Sequence, residues 1–301
     1  MPTATDAATA PMLLPQTVAD ALSHLALPGA IAVAGASWVM RAPLRHEPVA
    51  PVWVALNRIK ALHACDTGGP MVQLGALTTH DQLVRLLPDA PDLRALVQAA
   101  GGAANPGVRR IATLGGNLCA TGFAAADLIP ALLALDASVS IATPAGPEKL
   151  DMPAFLTRRT APGPLLVTGV TIPRSTRPSA HTRLPMRKAG DYPVAIVSLS
   201  LETGPQGLIT DLRLAVGAVE GTARRWTSLE TRAKGTRPDP AAIAALAQQH
   251  TADFTPRSGL DAPGWYRLRV LPTLVRRAFE QIAREWTKHG GHAARFLFAT
   301  V

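Results

Sequence analysis

Apolar residues at Val18, Leu22 and Leu25 recur at helical spacing behind Thr17, and Pro28-Gly29 closes the segment, so 17–25 reads as a short helix. The apolar run Ala30–Ala34 reads as a strand that turns at Gly35 and Ser37. Val52–Leu56 and Val72–Ala76 read as two more short strands. Thr79 caps a helix through Leu87 with Asp81 and Gln82 in its first turn, and Pro91–Ala100 reads as an amphipathic helix ending at Gly101-Gly102. Arg109-Arg110 then lead through Ile111 to a second glycine turn, Thr113–Asn117, and a loop of small residues to Asp127. Leu128–Leu135 is an apolar helix and Ala137–Ala142 an alternating strand. Ser175–Ser179, with Pro173 and Pro178, is the best linker candidate. Beyond it, Val194–Leu201 and Leu208–Val219 read as antiparallel strands, and Pro240–His250 and Tyr266–Lys288 as helices. Residues 1–11, rich in Ala, Thr and Pro, predict a loose tail.

Helices and strands mix without a βαβα rhythm, and no GxGxxG follows a strand, which disfavours a doubly wound dinucleotide fold and favours α+β. The 301 residues suffice for two domains. With 48% hydrophobic and 17% charged residues, a buried core is expected rather than disorder. No stretch is long and apolar enough to span a bilayer, and no basic segment precedes the first apolar residues, so the expectation is a cytoplasmic protein. Cys65 and Cys119 form no CxxC pair and are too few for an iron–sulfur cluster, and the eight histidines show no zinc spacing, so no metal site is expected.

The net charge of +9 is unevenly placed: residues 1–150 hold 9 basic and 10 acidic side chains, residues 151–301 hold 21 and 11. Without RNP-like aromatics, zinc fingers or helix-turn-helix spacing, this excess is no nucleic-acid signature. Arg224-Arg225, Arg267, Arg269 and Arg276-Arg277 are expected on solvated faces or at subunit-docking positions.

Two glycine turns carry the candidate chemistry. In Ala34-Gly35-Ala36-Ser37 and in Thr113–Asn117 the backbone can approach a ligand closely, and converging amides can cradle phosphate. Ser37, Thr113 and Asn117 add polar side chains. Asp127 either binds ribose or ribityl hydroxyls or caps the helix starting at Leu128. Most such turns only reverse a chain; two together can hold a pyrophosphate from both sides.

Several blocks resemble one family in order along the chain: Gly75–His80, Val108–Asn117, Ala124–Ala137, Arg187–Tyr192, Val216–Val219 and Trp265–Ala278. It is the FAD-binding medium subunit of the molybdenum hydroxylases, the carbon monoxide dehydrogenase and xanthine dehydrogenase type. The resemblance implies an FAD-binding domain of the vanillyl-alcohol-oxidase/PCMH type over 1–176, with subdomains at about 1–55 and 56–176. An α+β C-terminal domain with an antiparallel sheet would occupy 180–288, and a tail 289–301. It implies FAD contacts from Ala32, Val33, Ala34, Gly35, Ala36, Ser37 and Trp38 in the first loop and from Thr113, Leu114, Gly115, Gly116 and Asn117 in the second. Asp127, Arg183 and Tyr192 complete the set, with Tyr192 beside the isoalloxazine. No protein nucleophile or general base is implied, since the flavin carries the chemistry. The implied partners are a [2Fe–2S] small subunit and a molybdopterin large subunit in a dimer of heterotrimers, with electrons leaving through FAD to an external acceptor.

Three departures stand out. Ala36 replaces a second glycine and is tolerable only at negative φ, Trp38 stands where a smaller residue is common, and the stretch to Asp127 is one residue longer, with Thr121-Gly122-Phe123 replacing a Ser-Pro pair. Ala36 and the longer loop motivate one alternative, a scaffold subunit that organises its partners without FAD; a further option, a stand-alone flavoprotein of the same fold, is opposed by the matching C-terminal block.

Overall fold

The structure, a computed structural model, describes residues 10–87, 90–187, 191–259 and 261–288. The expected tails, apart from Ala10 and Pro11, and residues 188–190 of the Arg187–Tyr192 block lie outside these.

The chain opens with strand β1 (Met12–Leu13), helix α1 (Val18–Leu25), β2 (Ala30–Val33) and β3 (Val52–Ala55). The strands form a small parallel sheet in the order β1-β3-β2. Thr17 caps α1 by accepting a hydrogen bond from Asp20 N at 3.1 Å. A five-stranded antiparallel sheet follows in the order β4-β5-β8-β6-β7, built from β4 (Cys65–Asp66), β5 (Met71–Gly75), β6 (Ser138–Thr143), β7 (Gly146–Asp151) and β8 (Leu166–Pro173). Between β5 and β6 run five helices: α2 (His80–Leu86), α3 (Arg94–Gly102), α4 (Pro106–Arg109), α5 (Leu114–Cys119) and α6 (Leu128–Ala134). Helix α7 (Met152–Arg158) links β7 to β8.

Local chemistry explains the elements and where expectations shift. Thr79 and Gln82 form a full capping box at α2. In α3 the pair Gly101-Gly102 belongs to the last turn instead of ending the helix before it. The expected turn Thr113–Asn117 is instead the start of α5: the Thr113 hydroxyl accepts from Gly116 N at 3.1 Å, so cap chemistry overrides the glycines' turn preference.

The second half forms an antiparallel sheet in the order β12-β11-β10-β9, from β9 (Ser179–Pro185), β10 (Pro193–Thr203), β11 (Ile209–Gly217) and β12 (Arg224–Arg225). The expected antiparallel pairing of the two long apolar strands is present, with Ile196 opposite Gly217 and Leu201 opposite Leu212. Helices α8 (Thr227–Ala233), α9 (Pro240–Gln249) and α10 (Gly264–Lys288) flank this sheet. Their core includes Trp226, Leu271, Val275 and Phe279.

Of the arginines expected on solvated faces, Arg269, Arg276 and Arg277 are exposed, while Arg224, Arg225 and Arg267 are engaged within the domain. Arg267 is fully buried and donates to the Val194 and Ala218 carbonyls at 2.7 and 3.2 Å and to Asp261 at 2.6 Å. Arg225 pairs with the buried Glu230 at 2.7 Å, and Arg224 with Glu220 at 2.6 Å. These arginines satisfy carbonyls and carboxylates inside the domain, which corrects the docking expectation for them.

The two halves share a core. All seven residues of α6 are buried, between α3, α5 and α7 on one side and β10 and β11 on the other. The Ser200 hydroxyl donates to the Ala134 carbonyl at 2.7 Å, and Ala218 N to the Ala124 carbonyl at 3.1 Å. Residues 174–178 connect the halves, anchored where Arg174 pairs with Asp92 at 2.7 Å.

Candidate functional site

Gly35 sets the site's geometry. A Cβ there would lie 1.7 Å from the Ile111 carbonyl oxygen, so only glycine lets the loop after β2 press against the strand-like segment leading to α5. The two loops thereby become neighbours and open onto one cleft of about 1170 Å³. That exceeds the ~300–1,000 Å³ usual for small-ligand sites and suits an extended dinucleotide. A smaller crevice of about 180 Å³ between α3 and α10 holds the Arg94–Glu285 ion pair and is too small for one.

The cleft collects most of the expected residues. Ala32, Val33, Ala34, Gly35, Ala36, Ser37, Trp38, Thr113, Gly116, Asn117, Asp127, Arg183 and Tyr192 all line it. Leu114 and Gly115 do not: Leu114 is fully buried in the core, and their amides donate to the Thr78 and Ala76 carbonyls at 2.8 Å each. Those two N–H groups are therefore consumed within the protein. The first loop differs, since the amides of Gly35, Ala36, Ser37 and Trp38 meet no acceptor among the described residues. Beside them the Asn117 Oδ1 is buried without a hydrogen-bond partner. The open N–H groups are what an anionic ligand requires, whereas the Asn117 oxygen, an acceptor, calls for a ligand donor.

Ala36 sits at φ 56°, against the negative φ expected from its side chain. The left-handed conformation costs a non-glycine residue about 1–2 kcal/mol, and the loop's need to turn its amides toward the cleft offsets this. Ala36→Gly should therefore stabilise the protein by about 1 kcal/mol, a rise of roughly 2 °C in a thermal melt; an unchanged or lowered midpoint would refute the strain.

Asp127 does not cap α6. Its φ and ψ are already helical and its side chain makes no cap bond. Instead Arg183 of β9 donates to Asp127 Oδ1 at 2.9 Å, and His181 Nε2 lies 3.5 Å away. Arg183 also donates to the Gly102 carbonyl at 2.9 Å and the Asp191 carbonyl at 2.7 Å. The carboxylate is thus held at the cleft floor by a residue from the other half of the chain.

Two of the departures in sequence compensate one another. Trp38 stacks on Phe123 with ring centroids 4.6 Å apart, and Phe123 meets Tyr192 edge-on at 5.2 Å. Arg45 lies 3.9 Å above the Trp38 ring, and Arg41 donates to the Tyr192 hydroxyl at 2.6 Å. The longer loop thus places Phe123 as the link between Trp38 and Tyr192. Phe123, Arg41, Arg45 and His80 are site residues the sequence did not reveal; only His80 fell inside a recognised block. Cys119 opens onto the cleft, but surrounding protein pushes its thiol up to about 11 despite the nearby Arg159, so it stays protonated.

Residues 7–175 match the family model described as the FAD binding domain in molybdopterin dehydrogenase, and residues 180–282 match the CO dehydrogenase flavoprotein C-terminal domain. The chain belongs to the FAD-binding family of the molybdopterin dehydrogenases. It is an oxidoreductase subunit whose cofactor is FAD. Among members of this family, the xanthine dehydrogenase FAD-binding subunit of Escherichia coli O157:H7 is 27% identical over 219 residues, 70% of this chain and 73% of that one. The 6-hydroxypseudooxynicotine dehydrogenase complex subunit alpha of Paenarthrobacter nicotinovorans is 29% identical over 229 residues, 74% and 77% of the two chains. In fold, the chain is similar to carbon monoxide dehydrogenase from Hydrogenophaga pseudoflava (TM-score 0.80, 23% identity, 89% of this chain and 95% of that one). It is similar also to quinoline 2-oxidoreductase from Pseudomonas putida 86 (TM-score 0.79, 22% identity, 91% and 96%). Among the described residues no helix is long and apolar enough to cross a membrane, and no cluster of His, Cys, Asp and Glu suits a metal ion.

Proposed function

We propose that this chain is the flavin-bearing electron-transfer subunit of a molybdenum hydroxylase complex. It would accept electrons from the [2Fe–2S] clusters of a small partner subunit, beside a molybdopterin-bearing large subunit, and deliver them to an external acceptor. A dimer of heterotrimers is the assembly, and a PCMH-type pair of subdomains, 1–55 and 56–176, encloses the cofactor. The names of relatives support this reading, as subunits of dehydrogenase complexes.

The observation that carries it is the cleft lined by both loops, into which the first loop brings the open amides of Gly35–Trp38 and the second Asn117. The FAD pyrophosphate lies between these groups, held by backbone N–H donors, Ser37 and Asn117. Thr113 serves indirectly, its hydroxyl being committed to Gly116 N. Asp127, fixed by Arg183, faces the sugar-alcohol portion, and Tyr192, tethered by Arg41, borders the ring end and limits solvent access there. When bound, FAD supplies the one- and two-electron chemistry that no side chain here provides.

The purified protein should show a flavin absorbance band that bleaches with dithionite, or acquire it at one FAD per chain when stripped protein is titrated. A folded chain that takes up no added FAD would favour the scaffold alternative and end this reading.

A further inference from the structure

His80 is the least explained polar group in the cleft wall. It is 2% exposed, lines the cavity, and neither ring nitrogen has a hydrogen-bond partner. The Ala100 carbonyl influences the ring without meeting hydrogen-bond geometry. Its position is fixed: His80 opens α2 behind the Thr79–Gln82 capping box, and its N–H donates to the Ala112 carbonyl at 2.9 Å. That bond is one side of the bridge between Thr79 and Thr113, so the imidazole stands at the base of the second loop. Burying two imidazole nitrogens unpaired is costly, and a native chain carries such a group when a ligand completes it.

Burial lowers the ring's pKa to about 4, against the pull of Asp127, so the imidazole is neutral at physiological pH. A neutral ring offers one donor and one acceptor. Arg109 also faces it electrostatically, but that guanidinium is committed to the Ala103 and Ala104 carbonyls at 3.2 and 2.8 Å. Asp127 is the charge nearest in effect, and it is negative. A phosphate brought to this spot would face that carboxylate; a hydroxyl can donate to the carboxylate and also exchange hydrogen bonds with the imidazole.

Resting on the reading that FAD occupies this cleft, we propose that His80 is a binding residue for the hydroxyl-bearing ribityl chain of the flavin, working beside Asp127. Nothing in the first-loop contacts duplicates this role, because those groups are backbone donors suited to anions. His80 thus discriminates for a polyol linker where the glycine loops discriminate for phosphate.

The test uses flavin-stripped full-length protein, with FAD and ADP as separate probes. His80→Phe should raise the dissociation constant for FAD about tenfold, the loss of one net hydrogen bond, while leaving that for ADP unchanged. His80→Gln, which keeps a donor and an acceptor, should stay within about twofold of the parent for FAD. Without ligand, the Phe variant should melt no lower than the parent, since an unsatisfied buried group has been removed. Undiminished FAD binding by His80→Phe, an equal loss toward ADP, or a Gln variant as weak as the Phe variant would each overturn the assignment. Failure of the parent protein to bind FAD would instead end the underlying reading, so the two failures are distinct.

Discussion

Gly35→Ala should cost the protein about 3 kcal/mol or more and strip the cleft of flavin. The added carbon would have to occupy a point 1.7 Å from the Ile111 carbonyl oxygen and 2.5 Å from its carbon, both backbone atoms that no rotamer change can clear. Ordinary overpacking costs about 1–3 kcal/mol because side chains move aside; here only separation of the two loops can relieve the clash. Separation would spread the groups assigned to the pyrophosphate, so FAD affinity should fall by far more than in Ala36→Gly, which changes the same loop without a clash. The check is a denaturation midpoint together with FAD titration. A variant that keeps both within twofold of the parent would show that the loops are not held in contact.

Arg267→Met should be comparably severe in the other half of the chain. The guanidinium is fully buried, bonded to the Val194, Ala218 and Arg257 carbonyls and to Asp261, and its removal leaves the Val194 and Arg257 carbonyls without that donor, while Asp261 and the Ala218 carbonyl keep only Arg257. Breaking a buried pair in this way costs about 3–5 kcal/mol, measurable as a lowered urea midpoint; a loss under about 1 kcal/mol would contradict the role. A pH signature accompanies it. Burial works to raise the Asp261 pKa, but hydrogen bonds from Arg267 and Arg257 outweigh it and hold the carboxyl down to about 2. Its folded pKa lies below its unfolded value, so the stability it contributes is present above the usual carboxylate range and is lost as pH falls toward 2. In Arg267→Met only Arg257 remains, so the folded pKa should move back toward the usual carboxylate value, and the acid-dependent loss should be smaller and complete at a higher pH.

The elements legible from sequence are those whose causes are local. Thr17 and Thr79 announce their helices because a cap lies within three residues of its partner. The apolar run of Val52 to Ala55 and the alternation of Ser138 to Thr143 read directly as strand. Strands β7, β8 and β9 escaped notice because proline, glycine and charge dilute them: β7 is Gly-Pro-Glu-Lys-Leu-Asp, and Gly169 interrupts β8. Gly169 is needed there, since a Cβ would meet the Leu74 carbonyl at 2.8 Å across the sheet. Motif resemblance reached both loops of the cleft, because each is continuous in sequence. It also included Leu114 and Gly115, which lie outside the cleft because their amides serve the Thr78 and Ala76 carbonyls in the turn between β5 and α2. It left Asp127 ambiguous because the deciding partner, Arg183, is 56 residues away. It placed Arg267 at the surface because charge alone does not show that Val194 and Ala218 wait for a donor.

Helix α6 carries one last implication. A helix apolar on every side and enclosed by elements from both matched segments belongs to neither segment alone. The gap between the two matched segments is therefore not a gap in packing. Severed there, the first piece would expose the face of α6 that β10 and β11 cover, and the second would expose the matching face of its sheet. Neither piece would carry the complete site, since Arg183, Asp191 and Tyr192 reach the cleft from the second piece.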